Sequence, residues 1–256
     1  MRLHLFLFFA TQALQFEVAT IKSSPPRDPG APFFVSAVIC RGIDNHMKMP
    51  DLPVGVPGLG RCMATNATVA QVIAAAYPSP AVRLSVRQRV VGGPGWIHNE
   101  AFNIESKAEN GSTTTEAQLK AMLQHLLADR FKLEFHTEEK EVQGFALVVA
   151  KDGPKLKPGT GEPSGGFGFG LRGGTMSATN ATMETLARSL FNRVDGPVID
   201  QTGLTGGYAI TLPSNIGGDP NGTSPSTALH ELGLRLEPQK VIVEIIVIDR
   251  VEKPPQ

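Results

Sequence analysis

One block of this sequence is written twice. Asn66-Ala67-Thr68 opens one helical pattern and Asn180-Ala181-Thr182 opens another. After the first, apolar or small residues fall at Val69, Val72, Ile73, Ala76 and Tyr77; after the second, at Met183, Leu186, Ala187, Leu190 and Phe191. Both sets keep the i, i+3, i+4, i+7, i+8 spacing that puts side chains on one buried helical face. Thr68 and Thr182 stand where N-caps belong, and Gln71 completes a capping box in the first copy. A repeated unit of this size has one greasy helix face per helix and must cover it with sheet.

The parallel continues downstream. Val90-Val91 precedes Gly95-Trp96 as Val198-Ile199 precedes Gly203-Leu204, and each glycine leads to a strand-like alternation at Phe102–Ile104 or Tyr208–Ile210. A second helix follows in each copy. In the first, Thr115 and Gln118 form a capping box ahead of an apolar face at Leu119, Met122, Leu123, Leu126 and Leu127. In the second, Ser224 caps a stub with Pro225 in its first turn, followed by Ala228, Leu229 and Leu232. Each helix runs into a pair of strands: Phe131–Glu134 and Phe145–Ala150, then Leu234–Glu237 and Val241–Ile248. These runs are rich in Val and Ile, as in strands covered on both faces.

The expected class is therefore α+β: two tandem helix–strand–helix–strand–strand units, each packing two helices on a small mixed sheet. The expected boundaries are a leader at 1–15, a first unit at 16–152, a Gly/Pro-rich connector at 153–176 and a second unit at 177–256. The first unit takes in two extra strands, Phe16–Lys22 and Phe33–Ile39, with a Pro-rich turn between them, and then the Cys40/Cys62 loop.

Composition narrows the function classes. Lys+Arg and Asp+Glu are both 24, so no basic excess marks a nucleic-acid partner. Residues 1–13 read as a positive charge, a short apolar stretch and small polar residues, the order of a secretory signal. That apolar stretch is far shorter than the roughly 20 residues a membrane span takes, and no stable span is expected. Cys40 and Cys62 flank turn-rich sequence, and a disulfide is favoured over two free thiols. A metal reading lacks partners, since His46 is the only histidine near them. Together these features place the protein outside the cytoplasm, in the periplasm or secreted.

Catalytic motifs are missing. Six histidines are present, but His230-Glu231 has no second histidine one helical turn on, as zinc-peptidase chemistry requires. There is no G-x-S-x-G elbow. The glycines at 165, 166, 168 and 170 lack the GK[ST] of a phosphate loop. No catalytic residue, metal ligand or cofactor is assigned. The binding candidates are Trp96, His125, His136 and Glu138. Trp96 is the one tryptophan, in a Gly/Pro turn, and is read first as a core plug and second as a ligand contact. His125 borders the apolar face of its helix, so a boundary or core histidine is the plainer reading. His136 and Glu138 share one face of a strand, where a cross-strand ion pair is favoured over proton transfer or metal binding. Of the N-x-[ST] sites, Asn66 and Asn180 are read as leading into helix caps.

The segments FEVATIK (16–22), VVGGPGW (90–96), LLADRFKLEFHTE (126–138), ALVVAKDGPKLKP (146–158), VIDQTGLTGGYAITL (198–212) and LGLRLEPQKVIVEIIVIDRVEKP (232–254) resemble the Solibacter-type domain of unknown function. That is a paralogous family of secreted proteins in soil acidobacteria. The resemblance implies an extracytoplasmic bacterial protein of unassigned activity with a binding or sensory role. Each unit is also similar in pattern to the short N-terminal domains of secretins and TonB-dependent transducers, which bind proteins or peptides. The expected function is a non-catalytic binding or sensory module of the cell envelope, with an envelope protein or peptide as partner. The alternative is a hydrolase of unfamiliar type acting on envelope or peptide material, centred on His125, His136 and Glu138.

Overall fold

The computed structural model describes residues 14–24, 36–44, 55–79, 82–161, 167–169, 174–217 and 223–254. Residues 1–13 of the leader expected at 1–15, most of the Pro-rich turn, and the glycines at 165, 166 and 170 lie outside them.

The first three strands are β1 (Val18–Ser23), β2 (Ala37–Arg41) and β3 (Arg61–Thr68). Helix α1 (Val69–Ala76) follows β3 directly, and the single turns α2 (Val86–Arg89) and α3 (Trp96–Asn99) flank β4 (Val90–Gly92). Then come β5 (Ala101–Lys107), α4 (Glu116–Arg130) and the long β6 (Glu134–Val149). Two-residue strands β7 (Lys157–Pro158) and β8 (Gly168–Phe169) precede β9 (Thr175–Ala181) and α5 (Met183–Leu190). The chain continues through β10 (Val198–Asp200), β11 (Tyr208–Pro213), α6 (Pro225–Glu231) and the long β12 (Leu234–Arg250). The class is α+β, with six α-helices and three four-stranded sheets among the described residues.

Two compact units divide the chain, and neither is a continuous stretch. The first takes the described residues of Met1–Pro78, Val90–His136 and Ile246–Gln256; the second takes those of Ser79–Arg89 and Thr137–Ile245. In the first unit an antiparallel sheet runs β1-β5-β3-β2. Helices α1 and α4 pack on it and on each other. Their capping boxes form as expected, Thr68 with Gln71 and Thr115 with Gln118. Val72, Ile73, Leu119, Leu123 and Leu127 are at most 1% exposed, each contributing about 1.5–3 kcal/mol of hydrophobic stabilisation. Phe131, fully buried, meets the edge of Phe102 at 5.8 Å. The Gln124 side chain donates to the Ala76 carbonyl at 2.8 Å, tying α4 to the end of α1. A parallel pair completes the unit: Val90, Val91 and Gly92 of β4 lie opposite Ile246, Val247 and Ile248 of β12.

Cys40 and Cys62 sit directly opposite each other on β2 and β3 and form a disulfide, at 9% and 3% exposure. The turn-rich neighbourhood read around them is corrected: both cysteines lie on strands and point into the core. Glycine is required nearby at Gly60 (φ 69°), because a Cβ there would fall 2.0 Å from the Gly111 Cα.

In the second unit β11 and β9 pair antiparallel, with β7 and β8 on their outer sides. The stretch read as a connector thus contributes edge strands to this sheet. Met183, Leu186 and Leu190 of α5 and Leu229 of α6 bury against Met176, Ile210 and Leu212. Thr182 and Ser224 cap these helices, with Pro225 in the first turn of α6. The parallel pair here is β10 with β6, Val198 opposite Phe145.

Each pair of strands expected after the second helix is instead one continuous strand, β6 of 16 residues and β12 of 17. Exposed charges over 138–141 do not interrupt β6, because β6 and β12 are sheet neighbours and main-chain pairing is indifferent to exposed side chains. Asn66 is a bulge residue of β3 with φ 45°, a conformation asparagine tolerates. Its N–H donates to Asn103 Oδ1 at 2.8 Å and its Oδ1 accepts from Ser24 Oγ at 2.7 Å. The β9–β11 ladder shifts register at the corresponding place, between Ala178 and Ala181.

Candidate functional site

The described hollows of the first unit gather along residues 14–23. Among the described residues β1 is an edge strand, paired with β5 from Val18 opposite Lys107 to Ser23 opposite Phe102. Beside its far end is a hollow of about 270 Å3 lined by Ile21, Lys22, Ser23, Glu100, Phe102 and Lys253. Beside Ala19 is a smaller one of about 90 Å3, where Phe16 faces Met122, His125 and Leu126 of α4. A third, of about 600 Å3, is more polar and lies between residues 14–17 and the loop and helix side chains Glu109, Asn110, Thr114 and Gln118.

One lysine of the 270 Å3 hollow has partners: Lys253 Nζ lies 2.7 Å from Glu100 Oε1 and 5.7 Å from the centre of the Trp96 ring. Trp96 stands behind this pair, half-buried, with its ring 6.2 Å from Phe102 in an edge-on contact. It does not plug the core; its neighbour Ile97, at 0% exposure, does. Aromatic bulk drew attention to Trp96, but α3 is one turn long and can turn only one of the two side chains fully inward.

His125 is exposed rather than a core histidine, because it falls just outside the buried stripe of α4. It lines the 90 Å3 hollow. His136 is exposed on β6, and its Nδ1 lies 2.9 Å from Asp249 on β12, with both groups about half exposed. Glu138 is exposed in the second unit. The hollow beside His125 and the hollow in front of Trp96 share no lining residue. Among the described residues no group of three or more His, Cys, Asp or Glu side chains is arranged to hold a metal ion. No described helix is long and apolar enough to cross a membrane.

Sequence reasoning found β1 as a strand but not its role as the border of these hollows. The signal available was the alternation in 18–23, where Ala19 and Ile21 are half-buried while Val18, Thr20 and Lys22 are exposed.

Fold and site together define a disulfide-bonded α+β protein with hollows strung along an edge strand. The chain belongs to the family described as "Protein of unknown function (DUF3738)", whose model matches residues 70–251. That match begins after β1, β2 and β3. No curated protein and no solved structure matches the chain.

Proposed function

We propose that this protein is a non-catalytic binding module of the bacterial cell envelope, built by duplication of one unit, whose ligand is a protein or peptide. The observation that carries the reading is the convergence of three hollows on residues 14–23, the strand β1 and the residues that lead into it. Such a border offers side-chain pockets beside main chain that no strand among the described residues pairs, which suits an extended polypeptide. Apart from the single turns α2 and α3 and a 3-10 turn after α5, the orders β3-α1-β4-β5-α4-β6 and β9-α5-β10-β11-α6-β12 correspond, and both copies carry a bulge just before the first helix, which supports duplication. An extracytoplasmic location is supported by the Cys40–Cys62 disulfide, a bond that persists in oxidising compartments.

The test is photo-crosslinking from position 20 of the full-length protein in living cells, followed by fractionation. Thr20 is exposed on β1 and its replacement by a photoreactive residue disturbs no core contact. A discrete crosslinked envelope protein or peptide in the exported fraction is expected. A cytoplasmic product with reduced thiols and no adduct would refute both location and role.

A further inference from the structure

The edge of β1 has a definite hydrogen-bonding parity. Ser24 N–H donates to the Ala101 carbonyl, continuing the ladder in which Val18 faces Lys107, Thr20 faces Glu105 and Lys22 faces Asn103. Antiparallel ladders alternate, so Ser24, Lys22 and Thr20 turn their main-chain groups toward β5. Ala19 and Ile21 therefore turn theirs outward, and no strand among the described residues pairs with that side. The Ala19 and Ile21 side chains share one face of the sheet, and each lines a hollow, about 90 Å3 beside Ala19 and about 270 Å3 beside Ile21. Residues two apart on a strand are about 7 Å apart, which is also the spacing of alternate side chains on any strand laid alongside. Charge adds polarity. Of the two lysines in the larger hollow, Lys253 is held by Glu100, whereas Lys22 has no carboxylate partner among the described residues.

We infer that the outer edge of β1 takes an extended acidic peptide as an added strand. Alternate side chains enter the two hollows, a small one beside Ala19 and a bulky one beside Ile21, and a carboxylate side chain on the peptide meets Lys22. This inference rests on the binding reading above and specifies its ligand chemistry and mode.

The probe is a displayed library of random linear peptides panned against the full chain, with the winning sequence then made synthetically. Enriched peptides are expected to carry a small and a bulky residue two positions apart with Asp or Glu adjacent. The bound peptide should slow hydrogen exchange at the Ala19 and Ile21 amides. Lys22→Glu should weaken binding about fivefold and turn the selected charge from acidic to basic. Ala19→Pro removes only an outward N–H, a position where an edge strand accepts proline, and should weaken binding more than about tenfold without loss of fold. Should Ala19→Pro unfold, the exchange data and Lys22→Glu decide. Peptides that bind without protecting Ala19 and Ile21 overturn strand addition and leave the binding reading standing. Amides of Ala19 and Ile21 already protected in the free chain overturn it as well, since the edge is then covered. If no peptide enriches, the inference fails, and the binding reading is judged by the crosslinking result alone.

Discussion

Val90 lies directly opposite Ile246 in a parallel ladder, and the two side chains are 0% and 1% exposed. The end of the last long strand, from Ile246 on, is therefore part of the same compact unit as the first helices, even though most of the chain runs between them.

Ile246 and Ile242 provide a matched pair on one strand. Ile246→Ala should cost about 2–5 kcal/mol, the range for deleting a buried isoleucine side chain. Ile242 is 56% exposed, so Ile242→Ala should change stability by only about 0.5 kcal/mol. Urea midpoints at constant m-value read both effects, and equal losses at the two positions would contradict the pairing of β4 with β12.

The disulfide closes a loop with a sequence separation of 22. Loop-closure entropy gives about 3 kcal/mol for a loop of that length. Replacing both cysteines with alanine should lower stability by about that amount, and a reducing agent should then have no further effect on the variant. Denaturant titrations with and without reductant provide the comparison. A wild-type midpoint unmoved by reduction would rule out the bond.

Arg89 is 5% exposed, and its guanidinium donates to the Glu244 main-chain carbonyl and, at 3.1 Å, to the Glu244 carboxylate. The Glu244 carboxylate is half exposed, so solvent screens that bond, whereas the Arg89 side chain is 7% exposed and its loss leaves a buried deficit. Arg89→Met should cost about 1–3 kcal/mol, whereas Glu244→Gln, which keeps the carbonyl bond, should cost less than about 1 kcal/mol. Thermal melts of the two variants rank the effects. The reverse order would mean the ion pair dominates.

Burial raises the Tyr77 phenol above its ordinary value near 10, and the ring lies edge-on to Phe135 at 4.7 Å. The unfolded chain then loses this proton at lower pH than the folded one. Stability from this group is full below about pH 10 and falls as pH rises through the folded-state value. Tyr77→Phe should flatten that alkaline limb relative to wild type. Parallel denaturant curves across the alkaline range show whether it does.

What was legible in the sequence was helical and local. Thr68, Thr115, Thr182 and Ser224 sit at N-caps because capping depends on residues within one turn. The buried faces of α1, α4 and α5 followed from spacing alone. β3 and β9 were missed because Arg61–Thr68 and Thr175–Ala181 contain no Val, Ile or aromatic residue, the plainest markers of strands. Their extended form comes from pairing with β5 and β11. Strand partners chosen across a great length of chain leave no local trace, and nothing near Val90 announces Ile246. The candidate site was obscure for the same reason. Ala19, Phe102 and Lys253 become neighbours of one border only after the sheet has formed.

The pairing of β4 with β12 also bears on how the protein comes into being. A polypeptide emerges from the ribosome N-terminus first, yet Ile246, the partner that covers Val90, is made long after it. Until that segment has been made, the flank of β4 that it covers stays open. A product that stops short of Ile246 leaves this flank exposed, a ready target for chaperones and proteases.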